Sequence, residues 1–192
     1  MPDSNKYKHH WDLFDDEVLY NEDYLKKVVP HDLLSAKGQE KHQVLQDIIN
    51  DKVGSMVGLK WQPITERQTA GMYDYPDNTV YLTQFNTNAP DNFERTTNHE
   101  ILHSLVGDKD TPMSAQDQRA LLLSPKLKNL IKKYNINERY PTVSFAGKME
   151  EALASAYADY AAGKLDDKDL SEGMKQIFKR IDAGEFVSEE PF

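Results

Sequence analysis

The most informative stretch of the sequence is His99-Glu100-Ile101-Leu102-His103. It lies inside a longer segment, Asn92 to Val106, whose apolar residues would cover one side of a helix and whose start at Asp91 or Asn92 suits an N-cap. Gly107 follows as a stop signal. Two histidines four residues apart on a helix share one face, so both rings can bind one metal ion. The stretch therefore predicts a metal site carried by a helix.

The residue types in this stretch suit hydrolysis at a zinc ion. Imidazoles are common zinc ligands, and the glutamate beside the first histidine faces the water on the metal rather than the metal itself. Zinc lowers the pKa of such a water, and the glutamate accepts its proton as the water attacks a carbonyl. We therefore predict His99 and His103 as zinc ligands and Glu100 as the general base.

A third protein ligand must come from elsewhere, because hydrolytic zinc sites usually have three ligands and one position for water. Glu151 is the first candidate, since the small residues that follow it on a predicted helix over 148–162 allow close approach to the zinc helix. Glu150 is the alternative on that helix, although an acid near a helix start is also stabilised by the helix dipole. Asp108 or Asp110 is the second candidate, because a turn after the zinc helix could return either carboxylate to the metal.

Two segments together carry a resemblance to a known family. The zinc-helix stretch, combined with Glu151-Ala152-Leu153-Ala154-Ser155-Ala156-Tyr157, is similar to the catalytic domain of the anthrax-lethal-factor-like peptidases, which include the proline-proline endopeptidases. The resemblance covers roughly residues 70–180. It implies a zinc-dependent endopeptidase with His99, His103 and Glu151 as ligands and Glu100 as base.

One position departs from the pattern of that family. The family has a tyrosine seven residues before its ligand glutamate, where it polarises the scissile carbonyl, and this chain has Ser144 there. Tyr140 and Tyr157 are the candidate replacements. The chain also resembles, in part, phage-repressor peptidases and bacterial effector proteases. The effector proteases keep Asp108 and Asp110 open as ligands and suggest a toxin or effector setting.

Composition excludes several kinds of partner and site. The net charge is −9 and the pI about 5.1, whereas a nucleic acid or an anionic membrane would require a basic face. The chain has no cysteine, so any metal must use His, Asp, Glu or water. No apolar stretch suits a signal peptide or a membrane span, which predicts a cytosolic protein or one exported without a classical signal. We expect a protein or peptide substrate, zinc as cofactor, and neither a nucleic-acid nor a membrane partner.

The rest of the chain predicts an α+β fold in one zincin-like domain over 1–192, with a small twisted sheet, the zinc helix and several further helices. The run 79–83 suits either an edge strand that pairs with substrate or a core strand. The other predicted segments are an N-terminal extension over 1–20, a helical region over 21–57 broken at Pro30, a strand over 59–64, a hairpin-like connection over 73–78, helices over 115–134 and 170–183, a loop over 135–147 and a loose acidic tail over 184–192.

Two other classes of function also fit the sequence. One is a non-catalytic zinc-binding module, whose fold would be lost with its metal. The other is a protein-interaction domain whose histidine pair is accidental and binds no zinc. Metal binding and its effect on folding therefore separate the three classes.

Overall fold

The computed structural model describes residues 13–15, 18, 27–62, 70–83, 92–106 and 111–187. In these ranges the chain is α+β, with seven α-helices and one three-stranded mixed sheet. The elements in chain order are α1 (Ala36–Val53), β1 (Gly58–Gln62), β2 (Gly71–Asp74), β3 (Thr79–Thr83), α2 (Phe93–Leu105), α3 (Ala115–Leu122), α4 (Leu127–Lys133), α5 (Ile136–Arg139), α6 (Phe145–Ala161) and α7 (Glu172–Asp182), with 3₁₀ turns at His31–Leu33 and Asp167–Asp169.

The sheet has the strand order β1-β3-β2, so β3 is its central strand. β1 runs parallel to β3, with Leu59 opposite Val80, and β2 runs antiparallel to β3, with Tyr73 opposite Val80. Val80 and Leu82 of β3 are fully buried. The core-strand alternative for 79–83 is therefore correct and the edge-strand alternative is wrong, because β3 has a hydrogen-bonded neighbour on each side.

β2 is the edge strand that lies against the metal-site helix, and the sequence analysis did not predict it. The predicted connection over 73–78 is part strand and part turn, because β2 extends to Asp74 before the chain reverses. The turn closes with Asn78 at φ +51°, a left-handed conformation that asparagine tolerates better than most residues. This short hairpin places the outer edge of β2 beside α2.

The two helices of the site pack directly on each other, and their contact is the most extensive between any two helices that the structure describes. α2 covers the predicted segment within two residues and ends as Val106 becomes extended. α6 begins at Phe145, three residues earlier than predicted, because the Ser144 side chain caps it by accepting the Gly147 N–H at 3.1 Å. The buried small residues of α6 are Ala152, Ala154, Ser155, Ala156 and Ala158.

The predicted helix over 115–134 is two helices, α3 and α4. The break falls at Ser124 and Pro125, because proline disfavours helical geometry in the residue before it and has no N–H to donate. The predicted loop over 135–147 also contains a helix, the four-residue α5, which the chain enters through Asn135 at φ +51°. α4 and α5 both pack on α6, so this segment supports the helix that carries Glu151.

Parts of both predicted terminal segments, the extension over 1–20 and the tail over 184–192, pack against the core. Leu13, Phe14 and Val18 are buried in the core, so these parts of the supposed extension belong to the fold. In the tail, Phe186 is buried and the Arg180 guanidinium lies 4.9 Å above its ring. Residues 1–12 and 188–192 lie outside the described residues.

Within the helical region predicted over 21–57, the described α-helix is α1, and residues 21–26 lie outside the described residues. Residues 27–30 contain no helix, since Val29 pairs with Trp61 at the β1 edge instead. Among the described residues, no helix is both long and apolar enough to cross a membrane.

Candidate metal centre

The structure brings the three predicted ligands together across the interface between α2 and α6. His99 and His103 project from one face of α2, and Glu151 reaches across from α6. His99 Nε2 lies 3.0 Å from Glu151 Oε2 and 3.2 Å from His103 Nε2. His103 Nε2 lies 3.4 Å from Glu151 Oε1. The three side chains form a group whose ligand atoms all lie within 4.8 Å of one another, so the group could hold a metal ion.

The spacing of these atoms fits one shared ion. Donors that bind zinc at about 2.1 Å in tetrahedral geometry lie about 3.4 Å from one another. The two histidine nitrogens are 3.2 Å apart and lie 3.0 and 3.4 Å from different oxygens of the Glu151 carboxylate, separations that are close to that value. The side chains of His99, His103 and Glu151 retain 12, 13 and 20% of their exposure, so the group is largely buried but remains in contact with solvent.

Glu100 is the buried carboxyl beside this group, at 6% exposure. Burial raises its pKa above the ordinary value for glutamate, against the opposite effect of the two histidines and of a hydrogen bond from the Tyr73 backbone N–H. The bond from Tyr73 is possible because this N–H points away from β3, as alternate residues of an edge strand do. A positioned carboxyl with a raised pKa next to a metal group suits a general base.

The histidines and Glu151 stabilise one another electrostatically. Burial alone would lower the pKa of His103, but its hydrogen bonds to Glu150 and Glu151 outweigh burial and raise that pKa well above the ordinary value. Burial would raise the pKa of Glu151, but the hydrogen bonds with His103 and His99 hold it far below its usual range. Glu151 is therefore an ionised carboxylate that faces two imidazoles, which suits it to be a metal ligand.

Glu150, the alternative ligand, lies behind the group. Its Oε1 is 2.7 Å from His103 Nδ1, the ring nitrogen on the opposite edge from the one that faces Glu151. The same oxygen lies 3.0 Å from the Tyr75 hydroxyl. Glu150 thus contacts the candidate ligand His103 but does not itself lie among the ligand atoms.

The two candidate tyrosines have different positions. Tyr140 lies beside Glu151, and its pKa is raised to about 12 by burial and by the nearby carboxylates of Glu151 and Glu100. Tyr157 is fully buried, donates its hydroxyl to Asp182 Oδ1 at 2.7 Å and packs against Phe178. Tyr140 therefore lies near the candidate ligands, whereas the Tyr157 hydroxyl, for which the sequence suggested a catalytic role, is bonded to Asp182 in the core.

The remaining candidate ligands, Asp108 and Asp110, lie outside the described residues. Sequence reasoning also missed two parts of the site, the β2 edge and Tyr75. Gly71 in β2 has a signal that could have been used, because glycine within a strand often marks close approach. A Cβ at Gly71 would lie 2.6 Å from Thr96 Cγ2 and 3.5 Å from Glu100 Cγ. Tyr75 has no such signal, since its contacts depend on how the hairpin folds over α2.

Comparisons with known proteins identify no relative from which a function could be inferred. No protein-family model matches the chain, and no curated protein or solved structure matches it. The chemistry must therefore be argued from the side chains at the site.

Proposed function

We propose that the protein is a zinc-dependent endopeptidase with a zincin-like catalytic domain, acting on a protein or peptide substrate. The observation that carries this proposal is the convergence of His99, His103 and Glu151 beside the buried carboxyl of Glu100. The four residues come from two helices and match the roles that the resemblance to lethal-factor-like peptidases implies. A toxin or effector setting follows only from that resemblance.

The donor set favours zinc over the common alkaline-earth ions. Calcium and magnesium prefer six or more oxygen ligands, whereas the group offers two imidazole nitrogens and one carboxylate. Two histidines and one glutamate are a known ligand set of catalytic zinc, which leaves one coordination position open.

The mechanism assigns one task to each residue around the group. A zinc ion held by His99, His103 and Glu151 would supply Lewis acidity to a water and to the scissile carbonyl. Glu100 accepts a proton from the attacking water and returns it to the leaving amine, a transfer suited to its raised pKa. Tyr140 donates its hydroxyl proton in a hydrogen bond to the carbonyl oxygen as negative charge develops there.

The test compares the native chain with Glu100→Gln, which keeps the shape of the side chain and removes the base. Zinc per chain is measured first, and both proteins are then incubated with a peptide library, in which new termini are counted by mass spectrometry. We expect one zinc in both proteins and cleavage by the native chain alone. If the native chain binds one zinc but cleaves no more peptide than Glu100→Gln, the result would support the non-catalytic zinc module instead. Absence of zinc in the native chain would support the interaction domain.

A further inference from the structure

We propose that Glu150 and Tyr75 are positioning residues that hold His103 with its Nε2 lone pair directed at the metal, and thereby set metal affinity. This inference rests on the proposed metal site. It adds a chain of three side chains, from the β2–β3 hairpin through α6 to the zinc helix, whose contacts are Tyr75 Oη to Glu150 Oε1 at 3.0 Å and Glu150 Oε1 to His103 Nδ1 at 2.7 Å.

The contact between Glu150 and His103 selects one tautomer of the ring. A carboxylate only accepts hydrogen bonds, so the 2.7 Å contact requires the proton to be on His103 Nδ1. A neutral ring protonated at Nδ1 has its lone pair on Nε2, the atom that faces His99 and Glu151. The carboxylate also increases the basicity of that nitrogen, as the outer partners of metal-bound histidines do.

Two neighbouring carboxylates on one helix thus have different tasks. Glu151 faces the Nε2 atoms of both histidines, and Glu150 faces the Nδ1 atom of His103. Adjacent residues on a helix point about 100° apart, so α6 holds His103 between them from two sides. The Glu150 side chain retains 19% exposure, which leaves its bond to His103 only partly exposed to competing water.

Tyr75 fixes the position of Glu150. Its hydroxyl lies 3.0 Å from Glu150 Oε1, 3.0 Å from the His103 carbonyl oxygen and 3.1 Å from the Val106 carbonyl oxygen. The hydroxyl has one proton, so it donates to one of these oxygens at a time. This position joins the hairpin to the last turn of α2, where carbonyl groups have no partner within the helix. Through Tyr75 the hairpin is therefore linked to His103 at its carbonyl oxygen and, by way of Glu150, at its ring.

The experiment measures the zinc dissociation constant by competition with a chromophoric chelator for four variants beside the native chain. Glu150→Ala removes the acceptor, Glu150→Gln keeps its volume without the charge, and Tyr75→Phe removes only the hydroxyl. The matched control is Asp159→Asn, which breaks an ion pair of 2.9 Å with Arg95 between the same two helices, two turns beyond Glu151. Visible spectra of the cobalt-loaded proteins report the ligand geometry independently of catalysis.

We expect Glu150→Ala to weaken zinc binding about 10- to 100-fold, the usual effect of removing the outer partner of a ligand histidine. Glu150→Gln and Tyr75→Phe should weaken it less, with altered cobalt spectra, and the control should unfold more easily with an unchanged dissociation constant. Native affinity and spectra in Glu150→Gln and Tyr75→Phe would overturn the inference, even if Glu150→Ala failed to fold. Equal weakening in the control would also overturn it, since loss of helix packing would then explain the effect. A native chain that binds no zinc would refute the proposed function itself.

Discussion

Replacement of Tyr140 by phenylalanine should lower turnover without unfolding the protein. Of the two tyrosines predicted from the sequence, Tyr140 is the one that lies near the carboxylates of Glu151 and Glu100. Phenylalanine keeps the ring and removes only the donor. If the hydroxyl stabilises the oxyanion, its loss affects the transition state more than the bound substrate, so kcat should fall while KM changes little.

The expected loss follows from the value of one hydrogen-bond donor to a developing oxyanion. Removal of such a donor lowers kcat about 100- to 1000-fold, or about 3 kcal/mol. Tyr140 is half-buried against the core, and phenylalanine keeps that ring packing, so we expect little change in unfolding free energy. The zinc content per chain must be measured as well, because Tyr140 lies near the candidate ligand Glu151.

Tyr157→Phe is the matched control, and it should have the opposite effects. The Tyr157 hydroxyl donates to Asp182 at 2.7 Å, and hydrogen bonds to charged groups contribute about 1.5–3 kcal/mol. The lower end applies, because the Asp182 side chain retains 39% exposure and also pairs with Lys52 at 3.2 Å. For a chain of this size, a loss of about 1.5 kcal/mol lowers the melting temperature by about 3–6 °C. Turnover of the remaining folded protein should be unchanged.

The assay uses a quenched-fluorescent version of a peptide that the native chain cleaves, with melting followed by circular dichroism. The reasoning is refuted if zinc-loaded, folded Tyr140→Phe retains kcat within about threefold of the native value. It is equally refuted if Tyr157→Phe loses turnover at an unchanged melting temperature, since that result would place the oxyanion donor on α6.

Three further predictions concern pH, packing and metal removal. His42 accepts a hydrogen bond from Trp61 Nε1 at 3.0 Å, and burial, followed by the charge of nearby His31, lowers its pKa below 6.5. The unfolded chain therefore binds more protons as the pH falls through about 6.5, so the contribution of His42 to stability is present above that pH and is lost below it. The difference in unfolding free energy between the native chain and His42→Gln should shrink from pH 7.5 to about pH 5, and a constant difference would contradict this. Gly71→Ala would place a Cβ 2.6 Å from Thr96 Cγ2, so β2 should move from α2 and turnover should fall; an unchanged kcat would argue against a role for this edge. Removal of zinc by a chelator should lower the melting temperature but leave the helical circular dichroism signal, because the core around α2 and α6 does not depend on the metal; complete unfolding would favour a structural zinc module.

Local patterns explain what could be predicted. The helix predicted over 92–106 was found within two residues because its signals are local, namely its apolar spacing, its N-cap position and its histidine pair. β3 was predicted from a short β-type run, and its residues are the strand 79–83. The break at Pro125 was available from the sequence and was overlooked, which joined α3 and α4 into one helix. The position of β3 in the sheet was not available, because neighbours in a sheet are set by contacts distant in sequence.

Short-range chemistry of the chain determined which residues could bind a metal, and the tertiary structure decided which of them meet. Glu150 and Glu151 are equivalent in composition and differ by about 100° in direction around α6, so only the packing of α6 on α2 assigns Glu151 to the ligand group and Glu150 to the far edge of His103. Tyr140 and Tyr157 are separated in the same way, one next to Glu151 and the other in the core with Asp182. Sequence spacing fixes the angles between side chains within a helix. The rotation and docking of one helix against another depend on the whole core, and this packing determines which side chains form the site.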